Sequence, residues 1–253
     1  MIYDSFNLDK EITKVDPIKA LTSGEITKDY IGRTVYLSNS ATSCQEWIII
    51  DTNHDGTNGT VDLFSKYILN DTEKEKTYGT MTASSVAFDS GNPYYNDYAT
   101  THENVGTLKY HLNQIVYNGF GTNLKNAMSI IHIPSEPNRA IDVYIKPPSL
   151  RELGFKSVSP HDALDTGVVY PYFDVVQEGY NYSGNEVFSV KFPTLQQWNR
   201  DYWTRTGTPD YYNGRRTRLY VIYKNSSGNY VPSVYDAANA SAYAVGIIRF
   251  GKK

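Results

Sequence analysis

Tyr202-Trp203-Thr204-Arg205-Thr206-Gly207, taken with the closing run Ala244-Val245-Gly246-Ile247-Ile248-Arg249-Phe250, decides how this chain folds. Between the two lies a pair of strands. Leu219-Tyr220-Val221-Ile222-Tyr223 is β-branched and aromatic, Asn225-Ser226-Ser227-Gly228-Asn229 is turn chemistry, and Tyr230-Val231-Pro232-Ser233-Val234 returns. Pro232 has no N–H to give to a ladder, so the returning strand belongs at an edge or carries a bulge. The pattern predicts a small antiparallel sheet with the C-terminal strand in its interior, beside Trp203.

Working outward, Ile31 to Leu37 reads as a strand, and Glu46 to Asp51 and Thr60 to Leu69 as two longer ones joined by a loop rich in Asp, Asn and Gly. Trp47-Ile48-Ile49-Ile50 is apolar on both faces, the mark of a central strand. Helical spacing runs from about 103 to 131. Leu108, Leu112, Ile115 and Val116 share one face, Gly119 and Gly121 interrupt, and Leu124, Ala127, Met128 and Ile131 resume. Ile141 to Ile145 is a strand stopped by Pro147-Pro148, and Ser149-Leu150-Arg151-Glu152 has capping-box spacing for a short helix. Residues 70–101 and 155–190 are long excursions, and Phe192 to Trp198 re-enters the core. Residues 1–28 form an N-terminal arm, with a short helix starting at Pro17. The arm packs either on a neighbouring subunit or on its own domain, residues 29–253.

The 253 residues suffice for a sizeable core, and 40% hydrophobic against 20% charged residues is a globular balance. A net charge of −3 with interspersed signs argues against a nucleic-acid or anionic-membrane surface. One cysteine, Cys44, excludes an internal disulfide framework and a cysteine-rich zinc site. The opening Met-Ile-Tyr-Asp-Ser-Phe-Asn has no basic region followed by an apolar run, so no signal peptide is expected, and no apolar run is long enough for a membrane span. Tyrosine is abundant, 23 against 9 Phe and 3 Trp. Its rigid ring and polar tip suit binding surfaces, and equally the half-buried faces of strands.

Asp51-Thr52-Asn53-His54-Asp55-Gly56, with Asp62 at position twelve, follows the ligand spacing of a calcium loop at Asp51, Asn53, Asp55 and Asp62. Asn58 at the normally apolar eighth position, the short Asp at the twelfth and the strand-like flanks favour a plain hairpin instead. His54, His102, His111, His132 and His161 form no metal-ligating pair, and His111 falls on the exposed flank of its helix. There is no Gly-x-Ser-x-Gly elbow, no base beside Cys44 and no phosphate loop, so neither catalytic residues nor cofactors are expected. Arg200, Arg205, Arg215, Arg216 and Arg218 lie among aromatics. Arg among aromatics can grip a nucleic-acid strand or an acidic sugar. The acidic overall charge and the short cluster favour instead a core Arg205 satisfied by backbone carbonyls, with Arg215, Arg216 and Arg218 solvated at a strand entry.

The order Tyr-Trp-Thr-Arg-Thr, strand, Ser-Ser-Gly-Asn turn, strand, Ala-Val-Gly-Ile-Ile-Arg resembles an uncharacterised domain family of gut-bacterial and tailed-phage proteins. Its members carry a Trp-Leu-Arg-Ser … Gly-Val-Arg-Pro pattern. Glu46 to Ile50, Leu63 to Leu69, Leu112-Asn113 and Pro148 to Gly154 fall in the same order, so the likeness covers residues 30–250; Phe250 stands where the family has Pro. The resemblance implies an α+β, C-type-lectin-like core of twisted antiparallel strands with two packed helices and long irregular loops, distantly akin to the formylglycine-generating-enzyme fold. It makes Trp47, Trp203, Arg205 and Arg249 structural. The single cysteine cannot reproduce that enzyme's cysteine and copper chemistry.

The function expected is a non-enzymatic virion component of a tailed phage: capsid decoration, head fibre or tail-associated. It would be assembled in the host cytoplasm in a symmetric array or homo-oligomer and would touch other virion proteins or a host cell-surface glycan. Tyr94, Tyr95, Tyr98, Tyr172, Tyr180, Tyr211 and Tyr212 are its candidate contact residues. A bacterial surface carbohydrate- or protein-binding module is the alternative, and a hydrolase with an unrecognised site a third reading.

Overall fold

A computed structural model describes residues 17–40, 43–66, 69, 86–87, 108–133, 141–155, 167–174, 201–207, 211–212, 215–216, 218–224, 226, 230–236 and 241–251. Among these, β1 (Thr34–Ser40), β2 (Ser43–Thr52) and β3 (Thr60–Ser65) run antiparallel in succession. β4 (Val86–Ala87), β5 (Met128–Ser129), β6 (Ile131–Ile133), β7 (Ile141–Val143) and β8 (Ile145–Lys146) are short. β9 (Tyr202–Gly207), β10 (Tyr211–Tyr212), β11 (Arg215–Arg216), β12 (Arg218–Lys224), β13 (Tyr230–Asp236), β14 (Ser241–Ala242) and β15 (Ile247–Gly251) complete the set. The architecture is α+β, with antiparallel sheets and few helices.

The main sheet has six strands, ordered β1-β2-β3-β15-β5, with β8 also on β15. The last strand of the chain is therefore interior, flanked by β3 on one side and by β5 and β8 end to end on the other. Its sequence requires that position: Ile247, Ile248, Arg249 and Phe250 are all buried, so both faces must be covered. This corrects the expectation that β15 joins the Trp203 sheet. That sheet is three-stranded, β13-β12-β9, with β12 in its middle. β13, which holds Pro232, is at its edge, where the missing N–H is harmless.

The two sheets meet through the segment before β15. Trp203 N donates to Tyr243 O at 3.0 Å, and Tyr243 N to Asp201 O at 2.8 Å. Gly246 then lets the chain pass into the main sheet, because a Cβ there would stand 2.7 Å from Ile145 Cγ2 and 2.9 Å from Leu69 Cδ1. Trp47, Trp203, Phe64 and Phe250 lie in one continuous core with Leu108, Leu112, Val116 and Leu124.

The helix Leu108–Gly119 is widened to π geometry over His111–Val116. Its buried Leu108, Leu112 and Val116 recur every four residues, which a turn wider than 3.6 residues aligns better than an α-helix does. Asn113 pins it to the main sheet: Oδ1 accepts from Tyr144 N and Ile145 N, and Nδ2 donates to Ile145 O. The second helix, Thr122–Ala127, is shorter than the periodicity predicts. Met128 and Ile131 belong to β5 and β6, and in β6 alternate burial replaces helical burial. At the N-terminus, Pro17–Ser23 is helical, and Ala20, Leu21 and Ile26 are buried in the same core, so this part of the arm packs on its own domain.

Candidate functional site

The chemically richest region is one rung of the main sheet. A register shift between Ile49 and Asp51 sets Asp51 opposite Asp62, and Asp62 is opposite Arg249, which is opposite Ser129. Asp62 is fully buried and Arg249 only 7% exposed. The guanidinium grips Asp62 in a fork, Nε to Oδ1 at 2.6 Å and Nη2 to Oδ2 at 2.7 Å. Burial works against the Arg249 charge, but the hydrogen bonds and charge of Asp62 outweigh it and raise its pKa. Tyr170 OH donates to Asp62 Oδ2 at 3.0 Å, and burial together with the Asp62 charge pushes the phenol well above its ordinary value.

At the end of the rung, Asp51 Oδ1 accepts from Thr52 N and Oδ2 pairs with His54 Nδ1, both at 2.7 Å. The His54 ring stacks on Tyr170, centroids 3.8 Å apart. Arg249 also faces the half-exposed Asp55 at 3.7 Å. The residues spaced like calcium ligands are thus engaged by the protein itself. Asp51 is taken up by His54, Asp62 by Arg249 and Tyr170, while Asn53 Oδ1 accepts from Gly59 N within the loop. Among the described residues no group of three or more His, Cys, Asp or Glu is placed to hold a metal ion. The loop is the β2–β3 connection, with a 3₁₀ turn at His54–Gly56.

A second buried cluster adjoins the first. The capping box forms as the spacing predicts: Glu152 N donates to Ser149 Oγ, and Ser149 N to Glu152 Oε2. It caps a single turn rather than a helix, ended by Gly154 at φ 90°. Glu152 does more than cap, since its Oε1 receives Lys146 Nζ at 2.7 Å and Arg205 Nη2 at 2.6 Å. The Arg205 side chain therefore finds a carboxylate where backbone carbonyls were expected. Burial pushes the Glu152 carboxyl up, but the charges and hydrogen bonds of Arg205 and Lys146 overcome it and hold its pKa at about 2. Lys146 Nζ lies 5.4 Å from the Tyr170 ring, so Tyr170 touches both clusters. Glu152 thus joins Lys146 of β8, in the main sheet, to Arg205 of β9, in the three-stranded sheet, while the Asp62–Arg249 pair lies within the main sheet.

Chemically the arrangement is a brace. Both oxygens of Asp51, Asp62 and Glu152 accept hydrogen bonds from within the protein. His111 is buried as well, not on an exposed flank: its ring faces inward beside Leu112, and Nε2 donates to Leu69 O at 3.3 Å. Burial lowers its pKa to about 4, so it is neutral near pH 7.

Of the tyrosines singled out as contacts, Tyr94, Tyr95, Tyr98 and Tyr180 lie outside the described residues. Tyr211 and Tyr212 form β10, in register with Arg216 and Arg215 of β11. Tyr172 is half-buried, edge-on to Phe173 with ring centroids 5.0 Å apart, and packs over Gly32. Trp47 and Trp203 are fully buried, and the Arg205 and Arg249 side chains are 5% and 8% exposed. Sequence reasoning missed Tyr170, Lys146 and the ionic role of Glu152. The signal available was a Lys and a Glu flanking Pro147-Pro148 in otherwise apolar surroundings. No family model, curated protein or solved structure matches the chain.

Proposed function

We propose that this chain is a non-enzymatic structural or adhesion protein of a tailed-phage virion, built on a C-type-lectin-like core. The observation that carries the reading is the double ionic brace. Asp62 and Arg249 pair between neighbouring strands of the main sheet, and Glu152 holds Lys146 of that sheet and Arg205 of the three-stranded one together. Pairs of this kind stiffen a platform. Rigid sheets with long connections suit recognition, and the aromatic-rich stretches at 88–98, 170–182 and 208–213 are the proposed contact segments. Among the described residues no helix is long and apolar enough to cross a membrane. The resemblance of residues 30–250 to a family with phage members supplies the setting. Its partners would be neighbouring virion proteins in a symmetric assembly and a glycan of the host surface.

Mass spectrometry of virions purified from a lysate of the host that carries the gene tests this. The protein is expected at a stoichiometry set by capsid or tail symmetry, and its absence from washed particles removes the proposal. A glycan array on the purified protein then separates adhesion from assembly. Glycan binding without virion incorporation would favour a bacterial surface module instead.

A further inference from the structure

We propose that Asn58 is a site of spontaneous deamidation and that Asn53 sets its rate by holding the one amide that must react. The reaction needs the N–H of the following residue. Deprotonated Gly59 N attacks Asn58 Cγ, the new C–N bond closes a succinimide, and the side-chain nitrogen leaves as ammonia. Water then opens the ring to aspartate or isoaspartate. Glycine in second position makes this fastest, because no side chain crowds the attack.

The sequence has three Asn-Gly pairs. Asn118–Gly119 lies in the helix Leu108–Gly119, whose backbone directs the glycine amide away from the preceding side chain. Asn213–Gly214 lies outside the described residues. Asn58–Gly59 sits in the exposed β2–β3 connection, open to water and base.

In that loop the reactive amide is occupied. Gly59 N donates to Asn53 Oδ1 at 2.5 Å. Asn53 reaches it from the left-handed region, φ 61° and ψ 36°, a conformation that Asn tolerates better than most residues. An N–H committed to a carboxamide oxygen cannot be removed until that bond opens, so the folded loop slows the chemistry that its sequence invites.

The product would matter to the fold. Gly59 packs against the end of the interior strand β15 so closely that a Cβ at Gly251 would lie 2.0 Å from Gly59 O. Isoaspartate at position 58 lengthens the backbone by one carbon at a contact with no spare room. It also adds a carboxylate to a connection that already carries Asp55.

The test is incubation of the folded wild type and three variants in mildly alkaline buffer. Peptide mapping separates the intact Asn58 peptide from its aspartate and isoaspartate products. Asn53→Ala is expected to deamidate about fivefold faster than wild type, the factor for one lost hydrogen bond. Asn53→Asp keeps an acceptor oxygen and stays slow. Thr60→Val, which removes the Thr60 Oγ1 bond to Thr57 O in the same loop, keeps the wild-type rate. Equal rates for wild type and Asn53→Ala, or equal acceleration by Thr60→Val, overturn the proposal. Should Asn53→Ala not fold, hydrogen exchange in the wild type decides: Gly59 N–H is expected to be protected, and free exchange there refutes the clamp.

Discussion

Replacing Glu152 by Gln removes the carboxylate bound to the Lys146 ammonium and the Arg205 guanidinium, side chains 4% and 5% exposed. Gln brings one acceptor oxygen and one NH2 donor. Whichever way it turns, the NH2 meets donors, either Ser149 N–H or the two cations. Two buried charges then lose this counterion, a loss of about 3–5 kcal/mol at neutral pH. The pH dependence makes the prediction specific. The folded-state pKa of Glu152 is about 2 against an ordinary 4.5. A depressed carboxyl contributes stability that is fully present above the ordinary value and is lost as pH falls through the folded one. That contribution is about 3 kcal/mol, of which ~2 kcal/mol is gone by pH 3.

Urea unfolding of wild type and Glu152→Gln, followed by fluorescence of the buried Trp47 and Trp203, reads this directly. The gap between the two proteins is expected to be widest at pH 5–7 and to close steadily toward pH 2. Taking the difference cancels the titration of the other carboxylates. A neutral-pH gap under about 1 kcal/mol, or a gap that does not change between pH 7 and pH 3, would show that Glu152 is not holding the two sheets together.

Arg249→Met should cost about 3–5 kcal/mol by leaving Asp62 charged and enclosed, and Arg249→Lys should recover only part because an ammonium cannot form the fork; urea midpoints check both. His111 acts in a different pH window: its folded pKa of about 4 lies below the ordinary 6.5, so the unfolded chain takes the proton first. Stability should therefore fall by about 3 kcal/mol between pH 6.5 and pH 4, and His111→Gln should flatten that interval of the curve. Gly246→Ala should lower the thermal midpoint, since the added methyl meets Ile145 and Leu69 and overpacking costs roughly 1–3 kcal/mol.

What the sequence disclosed was local. Pro232 announced an edge, Trp47-Ile48-Ile49-Ile50 a covered strand, and Ser149 with Glu152 a capping box, because each rests on the chemistry of a few adjacent residues. The partners of β15 were not legible in that way. A run buried on both faces fits any interior position, and its place is set by Asp62, 187 residues earlier in the chain. An Arg inside an apolar run does call for a buried acid, but four acids sit between apolar neighbours, Asp62, Asp142, Asp174 and Asp236. The structure leaves Asp142 exposed beside His132. His111 was misjudged because a helix wheel of 3.6 residues does not describe a π turn.

The Asp62–Arg249 pair sets register more than it adds stability. In β15 Ile247 lies opposite Phe64, Ile248 opposite Leu63 and Arg249 opposite Asp62. A slip of two residues keeps every side chain on its face, so hydrophobicity alone barely resists it. The same slip sets Arg249 against Phe64 or Thr60 and strands both charges, an error of several kcal/mol. Replacing both together, Asp62→Leu with Arg249→Met, should therefore restore most of the stability that Arg249→Met loses, less about 1–3 kcal/mol for the unpartnered Tyr170 hydroxyl. Uniqueness should not return with it. NMR of the double variant is expected to show multiple resonances for Ile247 to Phe250 and weaker amide protection along β15. A single set with native cross-strand contacts between Phe250 and Val61 would mean that packing alone fixes the strand.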